Sequence, residues 1–146
     1  MNIDSVTGYR VVHHLTEHQI SQLLDLYKQE FWSQKRKRDD VVKMLAATDI
    51  AIALVDDSDQ LIGFTRVLTD FVYRATIYDV IVKSTHRNKG LGSQLLDSVV
   101  NHPKLASVEQ IALYCLPEMI PFYEKWNFTA NTSGIQLMYR DHKPQE

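Results

Sequence analysis

Apolar positions along this chain change period several times, and each change marks an element. Thr16 is followed three residues later by Gln19, a capping-box pairing in which each side chain serves the other's backbone N–H. Ile20, Leu23, Leu24 and Tyr27 then recur at helical spacing, with Phe31 one turn further. The pattern predicts a helix from Thr16, after a short strand over Tyr9–His13. Asp39 and Asp40 suit the first turn of a second helix carrying Val41, Met44 and Leu45, because acidic groups complement the positive end of the helix dipole. Ile50–Val55 is an apolar run of strand length, Asp56–Gln60 has turn chemistry, and Leu61–Leu68 is the returning strand. Thr69-Asp70 interrupts before a third strand over Val72–Val82.

Helical spacing resumes with Leu91, Leu95, Leu96, Val99 and Val100, and Asn101–Pro103 stops it. Gln110–Cys115 reads as a strand. A helix beginning near Pro117 carries Ile120, Phe122, Tyr123 and Trp126, and Gly134–Tyr139 alternates as a last strand. Three successive strands joined by short links form a meander rather than a set of parallel crossovers. The expected fold is therefore α+β, one mixed sheet with helices on both faces.

Composition narrows this little. The chain has 146 residues, enough for one domain with a sizeable core, here expected over about residues 9–140 of 1–146. Its formal net charge of −2 gives no global drive toward nucleic acid. No apolar run approaches the ~18 residues of a membrane span, and residues 1–14 lack the basic-then-apolar order of a secretory leader. With a single cysteine, Cys115, there is no intrachain disulfide, which suits a reducing cytoplasm. The six histidines show no metal spacing, and no metal site is expected.

The chemistry concentrates between Ala75 and Leu96, where an apolar strand runs through a basic, glycine-containing loop into a helix. The first N–H groups of a helix lack intrahelical partners, so such a junction is a ready anion site. The loop is not a P-loop, which needs Gly-Lys-Ser/Thr, nor a dinucleotide fingerprint, since Leu95 stands where a third glycine belongs. Taken alone, Gly90 and Gly92 fit an anion cradle and a plain strand-to-helix turn equally well.

Arg87-Asn88-Lys89-Gly90-Leu91-Gly92 resembles R/Q-x-x-G-x-G/A, the pyrophosphate-binding motif of the GNAT N-acetyltransferase superfamily. Pro121–Phe128 (PFYEKWNF) is similar to that family's FYEKLGF segment, and the order of elements matches from Tyr9 to Tyr139. Gly63–Asp70 and Tyr78–Val82 look like a bacterial subgroup of small GNAT enzymes. The resemblance implies a GNAT-like fold with a mostly antiparallel sheet, acetyl-CoA as cosubstrate and no metal. It implies transfer of an acetyl group to a primary amine in a ternary complex. The acceptor stays open between small-molecule and protein amines, with neither nucleic acid nor membrane as partner. Small members are often homodimers, and a cytoplasmic location is expected.

Residue by residue, the resemblance puts the pyrophosphate on Arg87, Asn88, Lys89, Gly90, Leu91, Gly92 and Ser93. Pantetheine pairs with the backbone of Val80, Ile81 and Val82, and the Val80 N–H polarises the thioester carbonyl. Tyr123 becomes the general acid toward the departing thiolate, a proton transfer for which a phenol is suited; on spacing alone it reads as a core tyrosine. Asn127 departs from the family's glycine, but asparagine tolerates left-handed backbone. Thr76 stands where some members carry a basic glutamate, so the base is undetermined: Asp79 on the same strand is a candidate, Asp70 and Glu30 are further ones, and a water relay with no dedicated base stands equally beside them. A catalytically silent CoA-binding sensor is the competing class. Cys115 reads as a structural thiol, and the Lys35–Arg38 cluster as a solvated loop or, with Phe31 and Trp32, as the rim of the acceptor pocket.

Overall fold

A computed structural model describes residues 8–142. The part of the no-leader expectation that falls on residues 1–7, and the ends of the expected 1–146 domain, lie outside the described residues. The chain divides into two compact units, the first ending at Tyr114 and the second starting at Cys115.

The first unit contains β1 (Tyr9–Val12), α1 (Glu17–Lys28), α2 (Arg38–Ala46), β2 (Ile50–Asp56), β3 (Leu61–Thr69), β4 (Arg74–Val82), α3 (Leu91–Val100) and β5 (Gln110–Leu113). The sheet order is β1-β2-β3-β4-β5; the first four strands are antiparallel and β5 is parallel to β4. The expected meander and mixed sheet are therefore present.

Local chemistry sets the boundaries. The capping box at α1 is complete: Gln19 N–H donates to Thr16 Oγ1 and Thr16 N–H to Gln19 Oε1. β4 starts at Arg74, not Val72, because Asp70 Oδ1 accepts the N–H groups of Val72, Tyr73 and Arg74. That side chain competes with the sheet for the same donors and holds a loop instead.

Both sheet faces are covered. On one, α1 buries Ile20, Leu23, Leu26 and Tyr27 against Ala53, Val55, Phe64 and Ile81, with Val41 from α2. Each fully buried large apolar side chain stabilises the fold by about 1.5–3 kcal/mol. On the other face, α3 buries Leu91, Leu95, Leu96 and Val99. Gly63 faces this helix: a Cβ added there would make ordinary van der Waals contact with Ile81 O at 3.4 Å and with Leu54 Cδ1 and Leu95 Cδ1 at 3.5 Å.

In the second unit a 3₁₀ turn over Pro117–Met119 leads into α4 (Ile120–Glu124). The turn that follows tightens, with Trp126 N–H on Tyr123 O and Asn127 N–H on Glu124 O, and Asn127 turns left-handed at φ 67°. Phe122 packs edge-on against Tyr123 at 5.0 Å and against Trp126 at 5.0 Å. The expected last strand is not formed: Gly134–Tyr139 has no regular secondary structure, and Ile135, Leu137, Met138 and Tyr139 are exposed. Alternation makes a strand only where a ladder partner exists, and no strand pairs with this segment among the described residues.

Candidate active site

The site grows out of a break in β4. In the β3–β4 ladder Arg66 faces Tyr78 and Phe64 faces Ile81, so Thr65 alone stands opposite both Asp79 and Val80. This is a β-bulge, and Asp79 takes the left-handed conformation there at φ 60°. On the opposite edge the parallel ladder with β5 covers only Arg74–Ile77. From Tyr78 to Val82 that edge faces no strand among the described residues.

What holds the bulge is a converging set of donors. Tyr27 Oη (2.9 Å), Arg36 Nη1 (2.9 Å) and Arg66 Nε (2.7 Å) all donate to Asp79 Oδ2. The Asp79 side chain is 4 % exposed. Burial by itself would raise its carboxyl, but hydrogen bonds from Arg66 and Arg36 and their charges outweigh burial and hold it below the usual carboxylate range. Burial and the facing carboxylate push the Tyr27 phenol well up, so it stays a donor. The Arg36 guanidinium lies over the rings of Tyr27 (4.5 Å) and Trp32 (5.5 Å), and that of Arg66 over Tyr78 (5.1 Å). Arg36, Asp40, Val41, Met44 and Arg66 line a cleft of about 220 Å³.

After β4 the chain is pinned to the end of α1. Gln29 Nε2 donates to Val82 O, Ser84 N–H donates to Gln29 Oε1, and Arg87 Nη2 pairs with Glu30 Oε2 at 3.0 Å. Asn88 (φ 65°) and Gly90 (φ 77°) are both left-handed, and Gly90 is the N-cap of α3. The first intrahelical bond runs from Gln94 N–H to Gly90 O. The N–H groups of Leu91, Gly92 and Ser93 therefore precede the helical ladder, and no side chain caps them. Lys89 is exposed beside them.

A family model for the acetyltransferase (GNAT) family matches residues 17–128. The chain belongs to that family. Among curated GNAT relatives, the uncharacterized N-acetyltransferase ycf52 of Porphyra purpurea is 31% identical over 108 residues, covering 72% of this chain and 62% of its own. A ycf52-like N-acetyltransferase of Prochlorococcus marinus is 35% identical over 80 residues, covering 55% and 44%. The chain thus spans about three fifths or less of the length of these relatives. A GNAT-family protein from Xanthomonas campestris pv. campestris superimposes with a TM-score of 0.80 at 22% identity, over 94% of this chain and 95% of that one.

Among the GNAT site residues expected from sequence, Val80, Ile81 and Val82 lie on the open edge of β4, and Asn88 to Ser93 form the turn into α3. Arg87 is engaged by Glu30 instead of standing free. Asp79 Oδ2 accepts from three donors and its carboxyl is held below the ordinary range, an arrangement that suits an anchor for Arg36 and Arg66. Of the two readings of the Lys35–Arg38 cluster, Arg36 departs from the solvated loop: it pairs with Asp79 and lies beside Trp32. Tyr123, in the second unit, is buried, and burial followed by the nearby Cys115 raises its phenol to about 12. Cys115 is exposed, whereas a buried structural thiol was expected; the partial cover it has raises its thiol, which disfavours the nucleophilic thiolate. Sequence reading missed Tyr27 and Arg66. The available signal was an arginine inside the apolar strand Leu61–Leu68, one short loop from a strand carrying Asp79.

Proposed function

We propose that this chain moves an acetyl group from acetyl-CoA to a primary amine. One observation carries the reading: a bulged strand edge that faces no strand among the described residues leads, through a short loop, into a helix N-terminus that no side chain caps. A ligand with amides along one part and a diphosphate along another suits that run of backbone. The diphosphate takes the N–H groups of Leu91, Gly92 and Ser93 with Lys89 alongside, and pantetheine pairs with the edge over Val80–Val82.

Acetyl-CoA supplies an acetyl group activated as a thioester. The neutral amine attacks the carbonyl carbon, a C–N bond forms, the C–S bond breaks, and CoA departs as a thiolate that takes a proton. The Val80 N–H faces the carbonyl oxygen as negative charge develops; a preorganised donor of this kind lowers the barrier by about 2.7–4 kcal/mol. Tyr123 supplies the proton to the thiolate, and its raised phenol keeps that proton in place at neutral pH. The amine loses its own proton through water, since Thr76 offers no carboxylate and Asp79 is occupied.

CoA release from acetyl-CoA across a panel of primary amines tests the reading. Tyr123→Phe is expected to lower turnover by about one to three orders of magnitude while acetyl-CoA affinity, read by calorimetry, changes little. Unchanged turnover removes Tyr123 from the reaction. Tight CoA binding with no release for any amine would make the chain a CoA-binding module instead.

A further inference from the structure

Arg36 and Arg66 present more positive charge to the cleft than Asp79 neutralises. Both guanidinium groups bond the same oxygen, Asp79 Oδ2, and that carboxylate is the only buried anion between them among the described residues. Arg66 gives Asp79 its Nε, which leaves its two terminal NH₂ groups without a protein partner among the described residues, and Arg66 lines the cleft. Arg36 gives one Nη and its Cζ lies 4.5 Å from the centre of the Tyr27 ring and 5.5 Å from that of Trp32, so three contacts hold the group before any ligand arrives. Two immobilised guanidinium forks that share one wall form a receptor for a planar anion, because each fork matches a carboxylate's two oxygens.

The size and charge of the cleft define the ligand further. At about 220 Å³ it is smaller than the ~300–1,000 Å³ of pockets that enclose drug-sized ligands. Asp40, exposed on the same cleft, sets a negative group at its rim. That arrangement disfavours a phosphate dianion or a polyanion and suits a single carboxylate with an ammonium close by. Asp79 also precedes Val80 in the chain, so the residue that anchors both arginines adjoins the N–H proposed to face the thioester carbonyl.

We infer that the acceptor is a small amine carrying a carboxylate, which Arg36 and Arg66 bind together through their free N–H groups. This rests on the acetyltransferase reading above and adds the chemical class of its acceptor.

Matched pairs that differ only in the carboxylate provide the test: lysine against 1,5-diaminopentane, glutamate against its α-amide, and 4-aminobutyrate against its amide. CoA release is followed chromatographically on the full chain. At least one carboxylate member should exceed its neutral partner by about tenfold or more in kcat/KM. Arg36→Gln should raise KM for that carboxylate and shrink the preference to within about threefold, with kcat/KM for the neutral partner falling less than that for the carboxylate. The wild-type comparison stands by itself should the variant fail to fold, and Arg36→Lys, which keeps the charge but not the fork, should give an intermediate preference. Neutral amines acetylated as well as their carboxylate partners overturn the carboxylate proposal and leave acetyl transfer intact. No CoA release from any pair, with CoA still bound by calorimetry, overturns the acetyltransferase reading and the proposal with it.

Discussion

Replacing Asp79 by asparagine isolates the charge at the centre of the site. Asparagine has nearly the same shape and tolerates the left-handed backbone at φ 60°, so the bulge itself is not strained by the change. What is lost is the anion between two guanidinium groups. The Arg66–Asp79 pair is nearly enclosed, with side chains 12 % and 4 % exposed. Removing one partner of a buried pair costs about 3–5 kcal/mol, because the other charge is left uncompensated. Two facts lower that figure: Arg36 is 31 % exposed and can turn toward water, and the asparagine carbonyl still accepts one hydrogen bond. The expected loss is about 2–4 kcal/mol, or roughly 6–12 °C in melting temperature for a chain of this size. Urea unfolding, followed by the fluorescence of the two tryptophans, Trp32 and Trp126, reads it. The pH dependence gives a second handle. Asp79 is depressed in the folded state, so its contribution is complete above the ordinary carboxylate value and is lost as pH falls through the lower folded value. The variant should lack that part of the acid-side loss. A destabilisation below about 0.5 kcal/mol, with the acid-side profile unchanged, would mean that the three donors do not depend on the charge.

Other changes probe the backbone. Gly90→Ala meets no atom within 4 Å, so its cost is the strain of φ 77°, about 1 kcal/mol by thermal unfolding, together with weaker CoA binding as the helix N-terminus shifts. Wild-type stability and CoA affinity in that variant would show that the turn can rearrange freely. At Asn127, φ 67° makes alanine costlier than asparagine by about 1 kcal/mol, whereas glycine should be neutral or stabilising. Equal melting temperatures for the alanine and glycine variants would contradict the left-handed turn.

Much of the frame was legible because it is locally written. The Thr16–Gln19 box, the apolar stripe of α3 and the hairpin around Asp56–Gln60 each depend on residues a few positions apart. The Gly90 turn was legible for the same reason. The Asp79 cluster was not, since Tyr27, Arg36, Arg66 and Asp79 come from four separate stretches and meet only once the sheet is paired. Arg36 was read with its charged neighbours because nothing adjacent to it reveals a buried carboxylate 43 residues away. The Gly134–Tyr139 strand was over-read for the complementary reason: its alternation is real, but pairing belongs to two segments and only one was in view.

The bulge has one more consequence, for the parity of β4. In an uninterrupted strand Ile77 and Ile81, four apart, would point the same way. Here Ile77 pairs with Val67 and Ile81 with Phe64, and those two β3 residues, three apart, lie on opposite faces. The extra residue therefore works like a frameshift: side chains before it follow one phase and those after it the other. Ile81 joins Phe64 in the core under α1 only because of that shift. Deleting Val80 would remove the extra residue and make the ladder regular: Asp79 would face Thr65 singly, and Ile81 would keep Phe64 as its partner. What the deletion takes away is the bulge itself, and with it the left-handed backbone at Asp79 from which that side chain meets its three donors, so the extra residue serves the site and not the core.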